Sequence, residues 1–221
     1  MSPLDPVPTT DHPGVDPDKP LLIVDVDEVL ALFFHGFGQF VERSGYEMRV
    51  DRFALFQNIY RRGESEHLEI EHGQTLLGEF FRIAAEEIEP APGAAHGLRR
   101  LAHAGASVVI LTNSPNHGRA PRVRWLARHG MDYPLIMNEG LKGPVIAELA
   151  RQTSGPVAFV DDLLSQLDSA VEAAPRVHTF QLVADLRLRP IAPTNPERHR
   201  RIDHWPQLCD ELAQVLGLDE R

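Results

Sequence analysis

Three short apolar runs in this 221-residue chain lead directly into side chains that could carry out chemistry. The groups are Asp25 and Asp27 after residues 21–24, Thr112 and Asn113 after residues 108–111, and Asp161 and Asp162 after residues 157–160. Carboxylates and a hydroxyl group are parts that phosphoryl transfer uses, as a nucleophile, as hard oxygen ligands for Mg²⁺ and as donors to phosphate oxygens. Such a site also needs a cation, and Lys142 is one of only two lysines in the chain.

The elements that must position these side chains are indicated by the apolar runs themselves. Runs rich in Val, Ile and Leu occur at residues 21–26, 107–111, 134–137, 156–160 and 177–183, mostly separated by segments with helical periodicity. Nearly continuous apolar runs are typical of strands covered on both faces, and the alternation favours an α/β fold with a doubly wound parallel sheet. Ligands of such sheets bind at the carboxyl ends of the strands, where the candidate side chains lie.

The stretch from residue 33 to 91 is too long for a single crossover and contains no convincing strand. Its periodicity predicts helices from Gln39–Arg43 onward, over Arg52–Tyr60 and over Gly73–Glu87, before the breaker sequence at residues 90–93. We therefore predict an all-helical cap at residues 33–91. The core domain is predicted at residues 20–32 and 92–221, after a disordered, proline-rich lead-in at residues 1–19.

Composition restricts the class of protein and its partners. No apolar run approaches the roughly 20 residues of a membrane span, and no positively charged segment precedes an apolar one as in a secretory signal. We expect a cytoplasmic protein without membrane contact. The 22 basic residues against 32 acidic ones give a net charge of −10, which disfavours nucleic-acid binding. The single cysteine, Cys209, excludes an internal disulfide and is expected to be a free thiol buried in a helix.

Taken in order along the chain, the candidate residues resemble the motifs of the haloacid dehalogenase-like (HAD) hydrolase superfamily. The matching positions are Asp25-Val26-Asp27-Glu28-Val29, then Thr112, then Lys142, then Asp161-Asp162, within residues 21–183. The resemblance implies a Rossmann-like sheet with strand order 3-2-1-4-5. It also implies that the insertion is the family's helical cap of the first type.

The resemblance assigns the reaction to two aspartates. It implies that Asp25 is the nucleophile and forms an aspartyl-phosphate, while Asp27 protonates the leaving oxygen and later deprotonates water. Lys142 would bind the phosphate and steady the nucleophile, with hydrogen bonds from Thr112 and Asn113.

The same resemblance implies a Mg²⁺ site. Its ligands would be the Asp25 carboxylate, the backbone carbonyl of Asp27 and the Asp161 carboxylate, with Asp162 in the metal shell. Several carboxylates next to a phosphate dianion repel it, so any interpretation that keeps this chemistry requires cations.

Simpler interpretations of these residues stay open at this point. Asp25 and Asp27 could serve turn chemistry after a strand, and Asp161 and Asp162 could cap the helix that begins near residue 163. Thr112 could be a polar turn residue, with Ser114-Pro115 capping the next helix, and Lys142 could be a solvated surface lysine.

Two further features concern specificity. Glu28 stands where the family usually has a small residue, most often glycine, and it could point to solvent, pair with an arginine or touch the substrate. Phe33, Phe34, Phe37 and Phe40 could pack between cap and sheet or form an aromatic wall for the leaving group.

The sequence favours a phosphatase acting on a small phosphorylated metabolite, because a protonating acid such as Asp27 helps an alkoxide to leave. The alternatives are a phosphomutase that uses the same aspartyl-phosphate and a non-catalytic binding or regulatory protein with this fold. The substrate and the oligomeric state do not follow from the sequence.

Overall fold

The computed structural model describes residues 14–114 and 118–218. Within these ranges the chain forms eight strands, seven α-helices and two short 3₁₀ turns. The strands are β1 (Leu21–Val24), β2 (Tyr46–Met48), β3 (Ile59–Arg61), β4 (Ser107–Thr112), β5 (Leu135–Met137), β6 (Val157–Asp161), β7 (His178–Gln181) and β8 (Arg200–Arg201). The helices are α1 (Phe33–Arg43), α2 (Ile70–Ile83), α3 (Ala94–His103), α4 (Arg119–Arg128), α5 (Gly143–Arg151), α6 (Leu164–Ala173) and α7 (Trp205–Val215).

Six of the strands form one parallel sheet with β1 near its centre. Its order is β5-β4-β1-β6-β7-β8, and Leu21 of β1 pairs with Ser107 of β4 on one side and with Val157 of β6 on the other. The first five strands of the sheet in chain order are therefore arranged 3-2-1-4-5, as the family resemblance predicts. The short strand β8 extends the sheet at one edge.

Successive residues of β1 point to opposite faces of the sheet, and each face has its own core. Leu22 and Val24 belong to the core that includes α3 and α7, whereas Leu21 and Ile23 belong to the core that includes α5 and α6. Side chains of a strand alternate between faces, so a strand buried on both sides must be apolar throughout. The predicted doubly wound α/β fold is confirmed.

The insertion (residues 33–91) differs from the prediction of an all-helical cap, because β2 and β3 form a two-stranded antiparallel sheet in it. The helix predicted over Arg52–Tyr60 is also wrong, since this segment contains bends, a 3₁₀ turn at Phe56–Asn58 and the start of β3. Asn58 accounts for the difference, as its buried amide donates to the carbonyls of Arg52 and Ala54 and holds the chain in a turn.

The two segments that connect the insertion to the sheet are hydrogen-bonded to each other. The amide of Ala91 donates to the carbonyl of Leu30 at 2.8 Å, and the isolated bridge between Ala31 and Pro90 adjoins this bond. Trp205 of α7 donates its indole N–H to the carbonyl of Val29 at 2.9 Å. These bonds hold the entry to the insertion a few residues from the end of β1.

The segment before β1 lies against the sheet domain from residue 14 onward. The amide of Asp16 donates to Ser107 Oγ at 3.1 Å, and Thr153 Oγ1 donates to the carbonyl of Lys19 at 2.6 Å. The prediction of a disordered lead-in is therefore wrong for residues 14–19, because these backbone groups find partners on the core. Residues 1–13 lie outside the described part of the chain.

Two compositional predictions can be compared with the structure. Cys209 is a free thiol buried in α7, as predicted. None of the described helices combines the length and the hydropathy needed to cross a membrane.

Candidate active site

A buried ionic cluster lies at the carboxyl ends of the central strands. Asp25 follows β1 directly, and Asp161 is the last residue of the neighbouring strand β6. Lys142 Nζ lies 2.6 Å from Asp25 Oδ1 and 2.7 Å from Asp161 Oδ2. Burial alone would lower the pKa of Lys142, but the charges of Asp161 and Asp25 outweigh it and raise this pKa above its ordinary value. The interpretation of Lys142 as a surface lysine is therefore wrong.

The start of α5 brings Lys142 to this cluster. Gly143 allows α5 to approach α6 closely, because a Cβ atom at position 143 would lie 2.2 Å from the carbonyl oxygen of Ser169 and 2.4 Å from its Oγ. The amide of Lys142 also donates to the Oε1 atom of Gln166 in α6 at 2.9 Å. A larger residue at position 143 would push the lysine away from the strand ends.

Side-chain amides hold the turn that leads into Lys142. Asn113 Nδ2 and Gln166 Nε2 both donate to the carbonyl of Gly140, at 2.8 and 3.2 Å, and Asn138 donates to Asn113 Oδ1 at 2.7 Å. Asn113 is exposed and borders the cavity described below. Its predicted bond to a phosphate oxygen stays a prediction. Gln166 was not predicted from the sequence, because Ser165, Asp168 and Ser169 are polar residues of the same helix and nothing in the pattern distinguishes Gln166 from them.

Three carboxylates in the cluster have the chemistry of a cation site. Asp25, Asp161 and Asp162 are buried, and one oxygen of each lies within 4.8 Å of the others. Burial, only partly offset by Lys142, raises the pKa of Asp161 to about 6, and burial together with the charges of Asp161 and Asp25 raises the pKa of Asp162 well above its ordinary value. It is therefore unfavourable for these three carboxylates to be ionised at the same time. A hard divalent cation would neutralise their charge and would take their oxygen atoms as ligands, so the cluster has the chemistry that such a cation requires.

Helix capping does not explain the aspartates after β6. The N-cap residue of α6 is Leu163, which makes no side-chain capping bond. Asp161 Oδ1 accepts a hydrogen bond from the amide of Leu163 at 2.9 Å, which orients this carboxylate next to Lys142.

Asp27 is held by an arginine that the sequence analysis did not identify. Arg122 Nη2 donates to both carboxylate oxygens of Asp27, at 2.7 and 2.9 Å, and lies 3.2 Å from Ser114 Oγ. Burial raises the pKa of Asp27 to about 6, against the opposing effect of the Arg122 charge. Arg122 is buried in α4, one turn before Trp125 and Leu126, so its position in the apolar stripe of this helix was an available signal.

Thr112 ends β4 as predicted, but its side chain faces the interior. It is buried, its Oγ1 atom lies 3.5 Å from Ser114 Oγ, and it is not among the residues that line the cavity. The predicted cap at Ser114-Pro115 includes Pro115, which lies outside the described residues. The predicted bond from Thr112 to a phosphate oxygen stays a prediction.

Glu28 neither points to solvent nor forms an ion pair with an arginine of the described residues, so two of its three interpretations are wrong, whereas it lines the cavity described below and its contact with a substrate stays a prediction. It is buried, and its φ of 58° lies in the left-handed region that glycine adopts most readily. Its carboxylate accepts a hydrogen bond from the amide of Phe34 at 2.7 Å and from the amide of Asp185 at 2.9 Å. Phe34 lies in the first turn of α1, so Glu28 satisfies one of the free N–H groups at the start of this helix. It links β1, the insertion and the segment after β7.

Glu28 is expected to make the stability of the protein depend on pH. Burial raises its pKa to about 7 from the usual 4.5, although the amides of Phe34 and Asp185 oppose this shift. Between pH 4.5 and about pH 7 the carboxyl group of Glu28 keeps its proton in the folded protein but loses it in the unfolded chain. The free energy of unfolding therefore falls as the pH rises through this window. Between pH 5 and pH 8, we expect the free energy of unfolding of the wild type to fall by roughly 2 to 3 kcal/mol more than that of Glu28→Gln.

Urea unfolding of both proteins at these two pH values, with EDTA present, measures the difference. Glutamine imitates the protonated carboxyl group and removes its titration. Equal pH dependence of the two proteins would show that Glu28 does not titrate in this window.

A cavity of about 270 Å³ opens above the ionic cluster. Its floor contains the predicted residues Asp25, Asp27, Lys142, Asp161 and Asp162, while its upper wall is apolar. The phenylalanines of α1 divide between the two roles that the sequence suggested. Phe33 and Phe34 line the cavity, whereas Phe37 and Phe40 pack in the core of the insertion against Phe80.

Comparisons with known proteins identify the fold. No protein-family model matches the chain, and no curated protein matches it. Among solved structures, a HAD family hydrolase from Deinococcus radiodurans with bound phosphate and sodium is similar over 92% of this chain and 98% of that one, with a TM-score of 0.63 and 15% identity. A candidate β-phosphoglucomutase from Thermotoga maritima covers 90% and 100% (TM-score 0.56, 17% identity), and a predicted phosphoglycolate phosphatase from Haemophilus somnus covers 86% and 96% (TM-score 0.55, 13% identity).

At these identities the similarity establishes the fold, and the chain has the HAD-like fold that its motifs predict. The candidate cluster at the end of β1 lies where an open parallel sheet binds its ligand, next to the strands at which the strand order reverses.

Proposed function

We propose that the protein is a magnesium-dependent phosphatase that hydrolyses a small phosphomonoester through an aspartyl-phosphate on Asp25. The observation that carries this proposal is the buried cluster of Asp25, Lys142 and Asp161 on the floor of the cavity, in which Lys142 Nζ forms ion pairs of 2.6 and 2.7 Å with the two carboxylates. A nucleophilic carboxylate, a fixed cation and further oxygen ligands are the parts that phosphoryl transfer requires. The bound phosphate and sodium of the similar hydrolase from Deinococcus radiodurans support the same assignment.

In the first step, a carboxylate oxygen of Asp25 attacks the phosphorus atom and the bond from phosphorus to the ester oxygen breaks. The carboxyl group of Asp27 gives its proton to the leaving oxygen, so that an alcohol departs. The raised pKa of Asp27, about 6, provides the protonated form near neutral pH and keeps the ionised form accessible.

In the second step, the ionised carboxylate of Asp27 takes a proton from a water molecule, whose oxygen attacks the phosphorus atom. The bond between phosphorus and the Asp25 oxygen breaks, phosphate is released, and Asp27 is again protonated. One side chain therefore serves both steps, and Arg122 keeps it oriented between them.

The cation site supports both steps. Carboxylate oxygens of Asp25, Asp161 and Asp162 and the backbone carbonyl of Asp27 would hold Mg²⁺, which when bound supplies positive charge next to the phosphate oxygens. Lys142 stays charged because of its two carboxylate neighbours, and it holds Asp25 in place for attack. Thr112 and Asn113 are proposed to donate hydrogen bonds to the phosphate.

The purified protein is expected to hydrolyse p-nitrophenyl phosphate in the presence of Mg²⁺. Treatment with EDTA should remove at least about 99% of this activity, because the clustered carboxylates then repel the phosphate dianion, and excess Mg²⁺ should restore it. Release of p-nitrophenol followed by absorbance measures each state. A rate that persists in excess EDTA would contradict the metal-dependent mechanism.

A further inference from the structure

The insertion side of the cavity above the cluster is apolar. Its wall consists of side chains from α1, from the segment before β3 and from α2, namely Phe33, Phe34, Phe53, Leu55, Leu77 and Phe81. The phosphate would occupy the floor next to Lys142, so the rest of the substrate has to occupy the space along this wall. The chemistry of the wall therefore selects the alcohol that leaves.

Positive charge is scarce around this space. Lys142 is the one Lys or Arg side chain among the described residues that line the cavity, and Asp25 and Asp161 already pair with it. Arg122 lies behind Phe81, with its guanidinium carbon 5.4 Å from the ring centroid, and is bound to Asp27.

Arg187 is another cation near the cavity wall. Its guanidinium carbon lies 5.6 Å from the ring centroid of Phe34, and its Nη2 atom lies 2.5 Å from Asp185 Oδ2. Like Arg122, it is bound to an acidic residue and does not line the cavity. A second anionic group on the substrate would face apolar side chains on one side and several carboxylates on the other.

We propose that the alcohol part of the substrate is neutral and apolar, an alkyl or aryl group without a carboxylate or a second phosphate. This inference rests on the proposed phosphatase function. Burying an unpaired charge is strongly unfavourable, whereas an apolar group gains by leaving water for this wall.

The same wall disfavours a phosphomutase. In a phosphomutase whose aspartyl-phosphate transfers its phosphoryl group to a hydroxyl of a monophosphate substrate, the intermediate carries two phosphates. The second phosphate would lie on the insertion side, where the described lining residues offer it no cation. The inference therefore separates the two enzymatic functions that the sequence left open.

Two matched substrates test the inference. Hexyl phosphate and 6-(phosphonooxy)hexanoate have the same ester linkage and differ in a terminal carboxylate. We expect kcat/KM for hexyl phosphate to be about 100-fold higher or more, because the carboxylate finds no cation. Equal rates, or a preference for the carboxylate, would overturn the inference. Failure to hydrolyse p-nitrophenyl phosphate and both alkyl esters would instead overturn the phosphatase function.

Binding gives a readout without turnover. Calorimetric titration with hexylphosphonate and with 6-phosphonohexanoate, in the presence of Mg²⁺, should show the same preference as the kinetics. Equal affinities of the two phosphonates would contradict the inference even if the rates differ.

A charge added to the wall should weaken the selection. Leu77→Lys places a cation on the wall from α2 and is expected to lower the preference for hexyl phosphate at least about tenfold, while Ile83→Lys, at a position of the same helix that is 59% exposed, should leave it unchanged. Ala54→Lys, on a different segment of the wall, repeats the test if Leu77→Lys does not fold. A preference that stays the same in every folded wall variant would contradict the proposal.

Discussion

Replacement of Asp25 by asparagine is expected to lower kcat/KM for p-nitrophenyl phosphate by at least about 10³-fold. The amide of asparagine is a poor nucleophile, so the aspartyl-phosphate cannot form. The substitution also removes one of the two negative charges next to Lys142, and with it one carboxylate of the proposed cation site. Steady-state kinetics in saturating Mg²⁺ measures the loss.

Asp132→Asn is a suitable control, because it makes the same chemical change at an exposed position outside the cavity. It should retain full activity. Wild type quenched in acid during turnover should carry a phosphoryl group on the peptide that contains Asp25, as detected by mass spectrometry. If Asp25→Asn keeps activity within tenfold of wild type, another nucleophile is responsible.

Replacement of Arg122 by methionine is expected to have the second largest effect. Methionine keeps the packing against Phe81 but removes the charge that binds Asp27, so a partly buried carboxylate is left without its partner. We expect turnover of alkyl phosphates to fall about 10²-fold, because Asp27 is no longer oriented for proton transfer. A loss of roughly 1 to 3 kcal/mol in the free energy of unfolding should accompany it.

The pH profile separates orientation of Asp27 from a purely structural role of Arg122. The Arg122 charge lowers the pKa of Asp27, so its removal raises this pKa further above about 6. The p-nitrophenolate group of p-nitrophenyl phosphate leaves with little protonation, so Asp27 is not needed as an acid for this substrate. The pH dependence of the rate then follows the fraction of Asp27 that is ionised and can act as a base. The acidic limb of this profile should move to higher pH by about one unit in Arg122→Met.

Arg124→Met removes the same charge from the same helix, where Arg124 pairs with Glu86 at an exposed position. It should change neither the profile nor the rate. An unshifted acidic limb in a folded Arg122→Met protein would show that Arg122 does not control Asp27.

The sequence was most informative where residue types follow strands that are buried on both faces. The apolar runs before Asp25, Thr112 and Asp161 predicted parallel strands whose ends meet, and Lys142 does form ion pairs with both Asp25 and Asp161. Such inferences succeed because a strand covered on both faces must be apolar throughout, and because parallel strands end at one edge of the sheet.

The insertion was less predictable from local patterns. A helix was expected over residues 52–60, but the segment turns because the buried side chain of Asn58 binds backbone carbonyls, and Ile59 then pairs with Met48. Neither contact has a signature within a short window of sequence, since both depend on which segments meet in space.

The sequence by itself therefore determined the fold class, the strand order through the family resemblance, and the acidic residues and lysine of the candidate site. Only the tertiary structure revealed that Arg122 binds Asp27, that Glu28 caps α1 from the end of β1, and that an apolar wall faces the cluster. The first two of these contacts join residues from separate elements through charged side chains that are wholly or partly buried. A buried charge must find a partner, but the sequence alone does not say which element will supply it.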